Sequence, residues 1–217
     1  TLAMRNIYTA ELDAITHRVL KMGTTLEQSI DKTIQVLTDI DAAGAQRLID
    51  DDDIFDQMER SIEQHCLNLV ARQAPVASDW RRIASVMRMI SDLERIADHC
   101  SDIAEYVLKL AERPSVPQPA GLSAMLARVK DMLRTTVIAY VELDVEAAGR
   151  VVKQDDDQDD AFEDIVRSLC DLMQNEPAHI PQYVDYLMIA KYLERMSDHT
   201  TNLAEWVIYI VSGVLTK

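Results

Sequence analysis

Apolar residues recur along this chain in steps of three and four. Leu12, Ile15, Val19, Met22, Leu26, Ile30, Ile34 and Leu37 form one such series, and Leu122, Met125, Val129, Met132, Thr136, Tyr140 and Leu143 form another. This is the narrow stripe of a helix packed in a bundle, not the alternation of a strand. Proline breaks helix interiors, and the prolines fall at three places: Pro75, the cluster Pro114, Pro117 and Pro119, and the pair Pro177 and Pro181. Between the breaks the periodicity predicts further helices over 41–71, 78–111, 146–172 and 181–212. Helix stops are expected near Gly44 and Gly149. The result is an all-α chain of two tandem antiparallel three-helix bundles, 1–113 and 122–217, joined by a Pro-rich linker at 114–121.

The halves repeat. Glu94-Arg-Ile-Ala-Asp-His99 matches Glu194-Arg-Met-Ser-Asp-His199 at an offset of 100, and Asp102-Ile-Ala-Glu105 matches Asn202-Leu-Ala-Glu205. Earlier in each half, Asp52-Asp-Ile-Phe-Asp56 parallels Asp156-Asp-Gln-Asp-Asp160 at an offset of 104, which Cys66 and Cys170 share.

The repeated acids form stripes of their own. At about 100° per residue, Glu94, Asp98, Asp102 and Glu105 lie within one sector, apart from Val86, Leu93, Ala97, Cys100 and Ala104. Asp52, Asp56, Glu59 and Glu63 share a stripe in the preceding helix. Asp56 and Glu94 each stand 19 residues from Pro75, so a hairpin sets them at one height. Asp52 and Asp98 match likewise, and Asp156 and Asp160 are expected at the level of Glu194 and Asp198, with the two stripes of each hairpin either both lining the groove between the helices or both pointing away from it. Like charges at i,i+4 cost about 0.2–0.5 kcal/mol per pair on a helix. Four carboxylates opposed across a hairpin would repel, and their pKa values would rise. A hard, oxygen-preferring cation removes that repulsion: iron, manganese, magnesium or calcium. Zinc is less natural, because no Cys joins the stripes. The plainer alternative is a solvated acidic surface, partly neutralised by Arg60, Arg95 and Arg195.

Other candidates weaken. His99 and His199 sit 100° around from the aspartates and read as flank residues with surface hydrogen bonds. The single Glu-x-x-His, Glu176-Pro-Ala-His179, falls in a turn, against a ferritin-like di-iron bundle. No P-loop, GxSxG or Gly-rich cradle occurs, and five Gly leave little room for one.

Composition narrows the class further. Lys+Arg 22 against Asp+Glu 37 gives a net charge of −15. That excludes a general nucleic-acid binder and repels an anionic membrane unless something else holds the chain there. With 48% hydrophobic residues and few breakers, a folded helical core is expected rather than disorder. Three Cys without a CxxC pair point to reduced thiols in a cytosolic protein. No stretch approaches the length of a membrane span.

The segments Met4-Arg-Asn-Ile-Tyr-Thr-Ala-Glu-Leu12, Ala71-Arg-Gln-Ala-Pro-Val-Ala-Ser-Asp79, Ile90-Ser-Asp-Leu-Glu-Arg-Ile-Ala-Asp-His99 and Tyr192-Leu-Glu-Arg-Met-Ser-Asp-His199 closely resemble the PhoU family. The resemblance covers the whole chain, including the duplication. It implies two three-helix bundles in tandem in a non-enzymatic cytoplasmic regulator of phosphate homeostasis. Its expected partners are the ATPase subunit of the high-affinity phosphate ABC transporter, a PhoR-type histidine kinase and a second copy of itself, with no direct membrane insertion. It implies repression of the phosphate regulon and of uptake when phosphate is plentiful. It also implies metal binding by paired E/DxxxD motifs. Those motifs are carried here by Asp52, Asp56, Glu94 and Asp98, and by Asp156, Asp160, Glu194 and Asp198. Asp102 stands where the family usually has Asn, as Asn202 does, so the first site is expected to be the more anionic and the tighter. Two rivals from the residues alone are a carboxylate-bridged metalloenzyme such as a phosphatase and a purely structural helical adaptor.

Overall fold

The structure is a computed structural model that describes residues 2–73 and 75–215, with side chains from Arg5 onward. Ala74, in the turn quoted above, lies outside the described residues. Every regular element described is helical: α1 (Leu2–Asp39), α2 (Ala42–Asp50), α3 (Asp53–Arg72), α4 (Ala77–Ala111), α5 (Leu122–Glu142), α6 (Val145–Asn175) and α7 (Ile180–Ser212), with a 3-10 turn at Pro177–His179. Helices α1 to α4 form the first bundle, with α2 and α3 together filling the place of one long helix. Helices α5, α6 and α7 form the second.

The corners are not at the glycines. Gly44 and Gly149 lie inside α2 and α6, and the chain turns one step earlier, at Ile40 and Leu143. Both adopt left-handed backbone, with φ of 49° and 56°. Each is followed by an aspartate N-cap: Asp41 accepts from the Gly44 N–H and Asp144 from the Ala147 N–H, both at 3.0 Å. A carboxylate that satisfies an orphan first-turn donor starts a helix more decisively than a glycine ends one. A second difference is the break at Asp51 and Asp52, which splits the expected helix 41–71 into α2 and α3.

The two halves share one core. Ile15, Met22, Leu26 and Ile30 of α1, Ile83, Ile90 and Ile96 of α4, and Leu133, Ile189 and Leu193 of the second half belong to a single buried cluster. Each such side chain contributes about 1.5–3 kcal/mol on leaving water. Helices α4 and α7 cross antiparallel at the centre, and α1 packs against α5 beside them. The contacts obey an internal twofold. His99 stacks on Tyr192, with ring centroids 5.4 Å apart, while His199 Nδ1 meets Asp92 at 2.9 Å. Positions 92 and 99 are the counterparts of 192 and 199. The Pro-rich stretch is pinned across the seam, since the Gln118 amide donates to the Leu37 carbonyl and Pro119 is buried.

Candidate metal centre

Helix α6 positions the second acidic group, and Gln158 sets its register. Its side chain is fully buried: it accepts from Arg128 Nε at 2.8 Å and donates to Ser197 Oγ at 2.8 Å and to the Met125 carbonyl at 3.0 Å. With every polar atom satisfied, a glutamine takes the inward position that Phe55 holds in the first half. The inward stripe of α6 therefore runs Val151, Asp155, Gln158, Phe162, Ile165 and Leu169. The matching stripe in the first half runs Leu48, Asp52, Phe55, Glu59, Ile62 and Cys66. The true offset between these helices is thus 103.

The structure therefore sets different second-half acids beside α7 from those expected. Asp156 and Asp160 are exposed and turn away from α7, and Asp160 lies in a surface cleft with Asp157, Asp164 and Arg128. Asp155 and Asp159 take their places. Asp155, Asp159 and Asp198 each offer an oxygen within 4.8 Å of the others, and they alone form such a trio among the described residues. The shared offset of 104 at Cys66 and Cys170 is coincidental: Cys66 is buried and Cys170 exposed. The pairs Asp41/Asp144, Ile62/Ile165 and Leu69/Leu172 carried the correct signal in the sequence.

The electrostatics follow from crowding. Asp198 is pushed up to about 6 by burial and then by Glu194 and Asp155. Asp155 is raised by burial and by Asp159, and Asp159 by burial and by Glu194. Glu194 itself bonds Lys191 Nζ at 2.6 Å.

In the first half Asp52, Asp56, Glu94 and Asp98 stand along the α3–α4 hairpin without converging as the second-half trio does. Burial, Asp98 and Asp102 raise Asp52 to about 6, and burial with Asp98 and Glu59 raises Glu94 to about 7. Basic side chains draw the carboxylates aside. Arg60 holds Asp56 at 2.9 Å, and Arg95 reaches Asp98 at 3.3 Å. His99 Nδ1 meets Asp102 at 2.9 Å, so that extra carboxylate is already engaged. The histidines are not surface flanks as expected: His99 is buried, and its ring lies 5.7 Å from that of His199 at the α4–α7 crossing.

The residues present fit a hard cation in the second half. The donors are all carboxylate oxygens, and Asp155 Oδ1 is buried with the Thr201 hydroxyl as its neighbour. A buried anionic oxygen short of partners is costly, and a bound cation relieves that cost.

Comparison with known proteins adds the lineage. A family model described as the PhoU domain matches residues 19–107 and again 122–207. The chain belongs to the PhoU family. A phosphate-specific transport system accessory protein PhoU homolog of Clostridium acetobutylicum is 34% identical over 96% of each chain. A homolog of the same description from Pseudomonas aeruginosa is 32% identical, over 95% of this chain and 86% of its own. The crystal structure of PhoU from Pseudomonas aeruginosa superposes with a TM-score of 0.91 at 32% identity, covering 95% of this chain and all of that one. The phosphate transport system regulatory protein PhoU from Streptococcus pneumoniae gives 0.90 at 28% identity, over 97% and 99%. These agree with the helical-bundle architecture, and the relatives are described as accessory or regulatory proteins of phosphate transport.

Proposed function

We propose that this PhoU-family chain is a cytoplasmic, non-enzymatic regulator of phosphate homeostasis. It docks on the ATPase subunit of a phosphate ABC transporter and on a PhoR-type sensor kinase, and restrains uptake and the phosphate regulon when phosphate is abundant. Carboxylate-bound metal sets its docking-competent shape. Family membership supports the regulatory part. The observation that carries the metal-binding part is the convergence of Asp155, Asp159 and Asp198 on one point. Iron, manganese or magnesium suits this all-oxygen set, with Glu194 beside it. Asp52, Asp56, Glu94 and Asp98 would hold the first-half equivalent. The metal would neutralise the acids and join α6 to α7, and α3 to α4, while the protein's own residues supply the docking surface.

The test separates the two registers. Elemental analysis of protein purified without chelators should find metal in the wild type. Asp155→Asn with Asp198→Asn should remove the second-half share, and Asp156→Asn with Asp160→Asn should leave the content unchanged. Equal loss in both variants would refute this site. Capture of the ATPase subunit by the chain should weaken at least tenfold in chelator; unchanged capture would sever metal from docking.

A further inference from the structure

The internal duplication supplies its own control for surface features, because whatever the fold requires should occur at both ends of the α4–α7 pair. One end departs from that rule. Where α4 begins and α7 ends, Val76, Trp80, Val211, Val214 and Leu215 are exposed, at 64%, 49%, 46%, 63% and 58%. They belong together. The antiparallel crossing sets position 80 level with 211, the α7 cap Gly213 lies against the Arg81 guanidinium, and Leu215 folds back beside Arg88 and Trp206. At the opposite end their counterparts are Glu176, Ile180, Ala111, Pro114 and Ser115.

Charge breaks the symmetry in the same place. Arg72, Arg81 and Arg88 flank the apolar residues, and none of the three forms an ion pair with a carboxylate among the described residues. Arg82 turns inward instead, donating to Thr16 Oγ1 at 3.0 Å and lying over the buried Tyr140 ring. The Nε atom of Arg81 is buried without an acceptor. The counterparts of the three arginines are Asn175, Pro181 and Met188, none of them charged. In a chain of net charge −15, this end is an arginine-bearing, aromatic-tipped island.

We propose that this end of the molecule contacts an anionic lipid surface directly. An indole and short aliphatic side chains suit the bilayer interface, and arginines suit its phosphates. No helix is long and apolar enough to cross a membrane, so the contact is interfacial. The overall negative charge does not forbid it. Glu94, the first acid of the stripe on α4, is 14 residues beyond Trp80, about 21 Å along the helix. The screening length is about 8 Å at physiological salt. Asp79 lies nearer, against three arginines, and Asp92 is already engaged by His199. Glu205 is the one stripe acid beside the island, sharing a cleft with Leu215 and Arg88; the stripe acids of α4 stand farther back.

The full chain should co-sediment with phosphatidylcholine vesicles containing about a third phosphatidylglycerol, less so as salt rises, and not with phosphatidylcholine alone. Trp emission should shift to the blue on binding. Trp80→Ser with Leu215→Ser should lower the partition coefficient at least tenfold, and Arg72→Glu with Arg88→Glu should do the same, while far-UV circular dichroism stays unchanged. Trp206→Phe should retain binding and the spectral shift. Failure of the wild type to bind anionic vesicles would overturn the proposal, as would equal binding by the variants. So would a concentration-dependent dimer that Trp80→Ser with Leu215→Ser dissolves, since a second copy would then own the surface. The result is independent of metal content, so the reading above survives its failure.

Discussion

Single residues decide where this chain turns. Leu143 is a bulky residue held at φ 56° and partly exposed, so its left-handed backbone is not repaid by deep burial. The left-handed conformation costs an L-residue about 1–2 kcal/mol, of which glycine is relieved at some entropic expense. Leu143→Gly should therefore raise stability by about 0.5–1 kcal/mol, and the melting temperature by about 1–4 °C. Ile40→Gly should gain less, because Ile40 packs on the core. Asp144→Ala, which removes the cap of α6, should cost about 1 kcal/mol. Thermal unfolding of the three variants checks all of this, and a destabilised Leu143→Gly would show that the leucine's packing outweighs its strain. Both turns look ordinary in sequence, since an Ile-Asp or Leu-Asp pair carries no glycine signal.

At the scale of elements, the acidic hairpins store repulsion. Asp52 and Asp198 titrate near 6 and Glu94 near 7, above the ordinary carboxylate range of about 4. Groups with raised folded pKa bind more protons folded than unfolded, so stability falls with rising pH in that window. No penalty exists below the unfolded values; it grows through the window and is complete above about 7. Metal-free protein should thus melt at lower temperature as the pH rises from about 4 to about 8, and added Mn²⁺ at the upper end should recover the loss. A flat profile in chelator would mean that the carboxylates are fully solvated. The α6 register belongs to this scale too. Five acids crowd residues 155–160, so hydrophobic periodicity alone left α6 ambiguous by one position. The buried Gln158, a polar residue on a core stripe, resolved it.

At the scale of the molecule, the duplicated halves pair much as two subunits of a symmetric dimer would. The pairing has diverged into complementarity. Glu27 of α1 meets Arg134 of α5 at 3.2 Å, and Asp31 meets Lys130 at 2.7 Å. Positions 27 and 31 correspond to 130 and 134 at the offset of 103, so the twofold-related sites carry opposite charges. First half thus prefers second half over itself. Close approach is secured by Gly23, where an added Cβ would lie 2.8 Å from Val137 Cγ2. Valine is stiff at χ1 and cannot simply swing aside. Gly23→Leu should cost about 1–3 kcal/mol in urea unfolding. Wild-type stability in that variant would mean that the α1–α5 contact is slack.

The sequence by itself determined the helical class, the duplication and the family, because helical periodicity and local motifs are encoded over a few turns. Tertiary structure decided what depends on opposing surfaces. It selected Asp155 and Asp159 over Asp156 and Asp160, because only burial against α5 and α7 distinguishes neighbouring acids 100° apart. It drew His99 and His199 into the centre, because α4 and α7 cross there. It also set Trp80 beside the end of α7, more than a hundred residues away in the chain, because antiparallel helices bring distant termini together.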